Sequence, residues 1–124
     1  MVESALLDYL IDQLTPLGDA RGRRMFGGHG LYLNGMMVGI IDDETLYLKV
    51  DAANRAAFEA ESMKPFTYVS RGRRVALSYW EAPAAVIEEP EQLQNWVRDA
   101  ASAARRALVA KPPPRAGKSR RSSP

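Results

Sequence analysis

The dipeptide Asn34-Gly35 lies between two apolar runs, and this arrangement restricts the fold more than any other feature of the 124-residue sequence. Leu31–Leu33 precedes the dipeptide and Met36–Val38 follows it. Asn-Gly favours a two-residue type I′ turn, because both central residues of that turn need a positive φ. A second turn at residues 42–45 leads into residues 46–50, where apolar side chains alternate. The sequence therefore predicts a three-stranded antiparallel meander.

Helices and strands are predicted on both sides of this meander. Residues 4–17 have leucines at helical spacing behind Ser4, a potential N-cap. The remaining predicted elements are a short helix at about 52–61 capped by Asp51, an extended segment at 66–70, a strand at 75–79, and a long helix from Glu89-Pro90 to Leu108. The apolar stripe of the long helix comprises Leu93, Trp96, Val97, Ala100, Ala104 and Leu108. The order α-β-β-β-α-β-β-α predicts an α+β fold, in which an antiparallel sheet carries its helices on one face.

The basic residues are concentrated at the C-terminal end. Residues 111–124 contain Lys111, Arg115, Lys118, Arg120 and Arg121 and no acid, whereas residues 1–110 hold 12 basic and 15 acidic residues. We predict one domain at 1–110 and a disordered basic tail at 111–124, because the Pro-rich tail has too few apolar side chains to offset its ordering entropy. Such a tail can contact nucleic-acid phosphates; the alternative is a solubilising extension without a partner.

Composition excludes several classes of site. The chain has no cysteine and one histidine, which excludes thiolate metal sites and histidine clusters, and we expect neither a metal nor a cofactor. The longest apolar stretch, residues 36–41, is too short to cross a bilayer. Glu3 and Asp8 stand where a signal peptide would have basic residues. These features predict a soluble, cytoplasmic protein that contacts no membrane.

A glycine-rich segment, Gly27–Gly30, has some features of a phosphate-binding loop. However, Leu31–Leu33 follows it in place of the Gly-Lys-Ser/Thr or the helix that such loops need. We predict instead a bulge or a close backbone approach at a sheet edge. His29 has no nucleophile or orienting acid at a recognisable spacing, so no catalytic residue is assigned and the chain is not expected to be an enzyme.

The tetrapeptide Arg-Gly-Arg-Arg occurs at residues 21–24 and again at residues 71–74. Two such segments at one end of a sheet would form a basic patch able to bind phosphates. The alternative is a pair of solvated turns whose arginines pair with the surplus acids of the domain. The candidate nucleic-acid or anion contacts are Arg21, Arg23, Arg24, Arg71, Arg73, Arg74, Lys118, Arg120 and Arg121.

The string of residues 24–32 (RMFGGHGLY), together with later segments such as 46–51 (LYLKVD), 65–68 (PFTY) and 78–80 (SYW), resembles the N-terminal domain of the TfoX/Sxy family of competence regulators. The resemblance covers about residues 3–108. It implies an α+β fold similar to that of secretion chaperones and a regulatory role in the bacterial cytoplasm. Motif residues to which the family assigns no role are Met25, Phe26, Gly27, Gly28, Gly30 and Tyr32. Full-length regulators carry a further helical domain, so we expect a standalone N-terminal domain here.

Three functional hypotheses follow. The preferred one is a non-enzymatic regulator or adaptor that acts through protein–protein contact, including self-association as a homodimer, along an apolar strip on a sheet edge or the long helix. The alternative is weak, mostly non-specific nucleic-acid binding by the arginine segments and the tail. The third is an enzyme or ligand-binding protein with a pocket near Gly28 and His29.

Overall fold

The structure, a computed structural model, describes residues 4–25 and 27–110. Its elements are α1 (Ala5–Leu14), a 3₁₀ turn (Thr15–Leu17), β1 (Ala20–Met25), β2 (Gly28–Leu33), β3 (Met36–Asp42), β4 (Thr45–Lys49), α2 (Arg55–Ala60), β5 (Pro65–Ser70), β6 (Arg73–Glu81), α3 (Ala84–Glu88) and α4 (Pro90–Ala110). The predicted tail with Lys118, Arg120 and Arg121, and the motif residue Phe26, lie outside the described residues.

Six antiparallel strands form one sheet in the order β1-β2-β3-β4-β6-β5. The predicted α+β class is confirmed, and two elements add to the predicted order. The first is β1, which makes the meander four-stranded. The second is α3, a single turn of helix between β6 and α4.

All the helices contribute side chains to one hydrophobic core on one face of the sheet. Helix α1 supplies Leu7, Leu10 and Leu14, and α4 supplies Leu93, Val97 and Ala100. From α2 comes Phe58, whose ring meets Trp96 edge to face with centroids 4.8 Å apart. The strands contribute Leu31, Leu33, Val38, Ile41, Leu46 and Leu48. The prediction of helices on one face is therefore confirmed.

The turns and the first helix follow the local signals in the sequence. Asn34 and Gly35 have φ values of 53° and 83°, as the predicted type I′ turn requires. Ser4 caps α1, since its Oγ accepts the Leu7 N–H at 3.0 Å. The same Oγ donates to Glu44 Oε1 at 2.5 Å, which ties the β3–β4 turn to the start of α1.

Two helix predictions need correction. The helix predicted at about 52–61 is confined to Arg55–Ala60, because turns occupy the residues after Asp51 and Asn54 bridges them. The buried Asn54 side chain accepts the Asp51 N–H at 2.8 Å and donates to the Lys49 carbonyl at 3.0 Å. In α4, Leu108 was expected in the buried stripe but is 70% exposed, because it lies beyond the end of the core.

No helix among the described residues is both long enough and apolar enough to cross a membrane.

Candidate functional site

The sheet has a second face that none of the described helices covers, and we call it the open face. Side chains alternate along a strand, so the neighbours of core residues point to this face. Register places Gly30, Ile40 and Tyr47 side by side on β2, β3 and β4. Ile40 is only 8% exposed although it lies outside the core cluster, because its neighbours on the open face surround it.

Aromatic rings form much of the open face. Tyr47 and Phe66 meet edge to face with centroids 4.9 Å apart. Burial raises the pKa of Tyr47, and the nearby carboxylates of Glu81, Asp42 and Asp43 raise it further. Burial likewise raises the pKa of Tyr79. A solvated sheet face normally carries polar side chains at such positions, so these rings mark a surface suited to contact.

Cations lie against two of the tyrosine rings. The Arg23 guanidinium lies 5.7 Å from the centroid of Tyr32, and the Lys49 ammonium lies 5.1 Å from that of Tyr79. Lys49 Nζ also donates to Ser78 Oγ at 2.6 Å. Such pairs keep a positive charge close to an apolar surface at modest cost.

The motif residues Met25, Gly30 and Tyr32 come together on the open face. A Cβ atom built on Gly30 would lie 2.9 Å from Met25 Sδ, 3.0 Å from Tyr32 Cε1 and 3.1 Å from Met37 Sδ. Gly30 therefore leaves room for these three side chains to close over it. A Cβ on Gly28 would press on the Ile41 carbonyl oxygen, which accounts for a second motif glycine as a close backbone approach.

The predicted arginine candidates do not form one patch. Arg21, Arg23 and Arg24 lie on β1 at one edge of the sheet, and Arg71, Arg73 and Arg74 lie at the β5–β6 turn on the other edge. The convergence considered from the sequence is therefore wrong, because β2, β3 and β4 lie between the two segments. Arg21 pairs with Asp19 at 3.0 Å, and Arg74 donates to Thr67 Oγ1 at 3.1 Å.

His29 lies within β2, opposite Arg24 and Ile41. The described residues contain no group of three or more histidine, aspartate or glutamate side chains that could hold a metal ion. Two surface clefts lie away from Gly28 and His29. One, of about 380 Å³, is lined by Asp51, Arg55 and Trp80 among others; the other, of about 760 Å³, lies between the β2–β3 turn and α4.

Sequence reasoning treated Met37, Ile40, Tyr47, Phe66 and Tyr79 as ordinary strand residues and missed them as members of a surface. A signal was present in β2, β3 and β4, because Tyr32, Ile40 and Tyr47 alternate with core residues and are themselves apolar or aromatic. Only the register across strands shows that these positions form one face.

Comparison with known proteins identifies one family. The sequence model of the TfoX N-terminal domain matches residues 12–104. The chain is also 33% identical over 96 residues to a protein of Spirochaeta aurantia, named "Uncharacterized 12.7 kDa protein in trpE 5′ region". That alignment covers 77% of this chain and 76% of the relative.

Proposed function

Because the chain belongs to the TfoX N-terminal domain family, we propose that it is a regulatory or adaptor domain that acts by binding a protein and not by catalysis. The proposal places this competence-regulator-like domain in the bacterial cytoplasm, in transcription regulation. The observation that carries it is the open face, with its aromatic rings and its buried Ile40.

The composition of the open face supports a protein partner. Tyrosine and methionine side chains are typical of protein interfaces, where a large ring adds contact area at little entropic cost. Arg23 and Lys49 add positive charge, and Asp42 and Glu81 add negative charge. A surface of mixed charge around an apolar centre suits a protein better than a polyanion.

Nucleic-acid binding is a second candidate, favoured by the Arg23–Tyr32 and Lys49–Tyr79 pairs. Aromatic rings beside cations bind single strands by stacking and charge. The carboxylates on the same face oppose that use, as does the separation of the two arginine segments.

Photo-crosslinking in cells tests the proposal. A photoreactive amino acid replaces Tyr79 on β6 or Tyr68 on β5, both on the open face, or Glu91 or Asp99 on the exposed side of α4 as a matched control. We expect discrete protein adducts from the open-face positions only, and their loss when Lys49→Glu is added. Equal adducts from both sets of positions, or none from either, would contradict the proposal. Adducts that contain nucleic acid would favour the second candidate.

A further inference from the structure

We propose that the partner of the open face is a second copy of this chain, related to the first by a two-fold axis. This inference rests on the proposed function and names the occupant of the same surface. It comes from one row of residues that are paired across neighbouring strands on the open face. From β1 to β6 in the order of the sheet, the row is Arg23 (β1), Gly30 (β2), Ile40 (β3), Tyr47 (β4) and Glu81 (β6).

The charges of this row are self-complementary. Ile40 is its central residue, and Arg23 and Glu81 each lie two strands away, at about 10 Å on opposite sides, given a strand spacing of about 4.8 Å. In the proposed dimer a two-fold axis runs parallel to β3, over Ile40, between the two copies. It sets the two open faces against each other, so that the β1 end of the row in one copy lies over the β6 end of the row in the other. Arg23 of each copy then faces Glu81 of the other, so one symmetric contact contains two ion pairs.

The rest of the face fits the same axis. The next row places Arg21 beside Tyr32 on one side and Lys49 beside Tyr79 on the other. The rotation brings Arg21 towards Tyr79 of the second copy and Lys49 towards Tyr32 of the second copy, both cation–π pairings. Tyr47 of the second copy meets the methionine side chains that close over Gly30, and sulfur–aromatic contacts are favourable.

The size of the face sets the expected affinity. Five strands face each other across this axis, since β5 lies beyond the overlap; they span about 19 Å, and about six residues along each strand span about 20 Å, so the projected area is about 400 Å² per copy. Specific interfaces at the small end bury roughly 600 Å² per partner. We therefore expect a reversible dimer with a dissociation constant in the micromolar range.

One contact in this arrangement is unfavourable. Asp42 lies on β3, and the axis sets it against Asp42 of the second copy, where like charges repel. Asp42→Asn removes this repulsion and is expected to tighten the dimer severalfold, an effect that a dimer formed through another surface would not show.

Sedimentation velocity of the full chain, from about 1 μM to about 1 mM, tests the inference. Each of Arg23→Glu and Glu81→Arg turns two attractions into two repulsions, and we expect each to raise the dissociation constant about tenfold. An equimolar mixture of the two variants restores association, because in the heterodimer glutamates of one copy face arginines of the other at both contacts. The double variant Arg23→Glu/Glu81→Arg restores it as well.

Arg98→Glu and Asp99→Arg on α4 are matched controls, since both residues are exposed and the charge changes are the same. They are expected to leave the dissociation constant unchanged within about twofold. A monomeric wild-type chain, reversals without effect, or a mixture that stays as weak as its components would each overturn the inference. Rescue on mixing cannot come from repaired folding, so it separates an interface from a structural role.

The two proposals fail in different ways. A monomeric wild-type chain whose open face still gives cross-links to another protein overturns the second-copy inference and leaves the proposed function standing. A monomeric chain without such cross-links overturns both. A cross-linked product of twice the mass of the chain, lost in Arg23→Glu alone and regained on mixing with Glu81→Arg, supports both.

Discussion

Alanine at Gly30 and at Gly39 should have contrasting effects, because these glycines lie on neighbouring strands but face opposite sides of the sheet. A Cβ on Gly39 would lie 2.9 Å from the backbone carbonyl oxygen of Tyr47 and 3.3 Å from Leu46 Cδ1 on the core side. A Cβ on Gly30 would meet only the ends of flexible side chains on the open face, at 2.9 to 3.1 Å. Backbone and packed core atoms can give way less than the half-buried methionine and tyrosine side chains of the open face.

The expected magnitudes follow from these contacts. Where the new methyl group meets no obstacle, replacing a strand glycine by alanine raises the free energy of unfolding by about 0.5–1 kcal/mol, because the unfolded chain loses conformational entropy. At Gly30 this gain roughly offsets the off-rotamer cost of about 0.5–1.5 kcal/mol for the displaced side chains. At Gly39 overpacking costs about 1–3 kcal/mol, which exceeds the gain and leaves a net loss of up to about 2.5 kcal/mol.

Urea unfolding and sedimentation velocity measure the two effects separately. Gly30→Ala should leave the free energy of unfolding within about 1 kcal/mol of wild type. It should nevertheless weaken self-association, since the side chains that close over Gly30 move. Gly39→Ala should lower stability and leave association of the folded chain unchanged. Equal losses of stability, or unchanged association in Gly30→Ala, would refute the assignment of Gly30 to the contact surface.

Three further predictions concern single features. Asn54→Ala should lower the free energy of unfolding in urea by about 2 kcal/mol, since it removes a buried side chain that pairs two partly buried backbone groups. Alanine at the exposed Asn95 should change it by less than about 0.5 kcal/mol. Hydrogen bonds, first from the Ser4 hydroxyl and then from the Leu6 N–H, hold the pKa of Glu44 below its usual range. The folded chain should therefore be more stable with Glu44 than in the variant Glu44→Gln at any pH above the ordinary carboxyl pKa, and this difference should vanish as the pH falls through the lowered pKa. Thermal unfolding of both chains as a function of pH measures the difference. If the basic tail binds nucleic acid, the plot of log affinity against log salt concentration should be less steep by about 4–5 for a chain that ends at Ala110 than for the full chain. An unchanged slope would contradict binding by the tail.

Local signals explain what the sequence predicted well. The turn at Asn34-Gly35 and the cap at Ser4 depend on neighbouring residues only, so propensity and spacing suffice to find them. The stripe of α4 was predicted as far as Ala104, because helical spacing alone decides which face of a helix is apolar. Leu108 was misplaced because burial also depends on how far the sheet extends.

The missed features depend on contacts between distant segments. Strand β1 has the sequence Ala-Arg-Gly-Arg-Arg-Met, which lacks a strand pattern; it is a strand because β2 pairs with it and Gly22 lets Leu7 of α1 pack closely. Recognising the open face from the sequence would require knowing the register of four strand pairs and the insertion of β6 between β4 and β5. The bulge between Leu31 and Tyr32 also shifts which residues of β3 face each side.

The insertion of β6 between β4 and β5 has a consequence for folding. Consecutive hairpins build β1 to β4, and another hairpin builds β5 and β6. The seam between them consists of the pairs Tyr47–Glu81, Leu48–Trp80 and Lys49–Tyr79, flanked by hydrogen bonds from the Val50 N–H to the Ser78 carbonyl and from the Ala82 N–H to the Leu46 carbonyl. This seam joins segments about 30 residues apart, so its closure carries a larger loop-entropy cost than any hairpin in the sheet. We therefore expect the β5–β6 hairpin to open as a unit before the meander does, so that its amide protons exchange with solvent first in native-state hydrogen exchange. Since the seam runs through the aromatic surface, such opening would also dismantle half of that surface without unfolding the molecule.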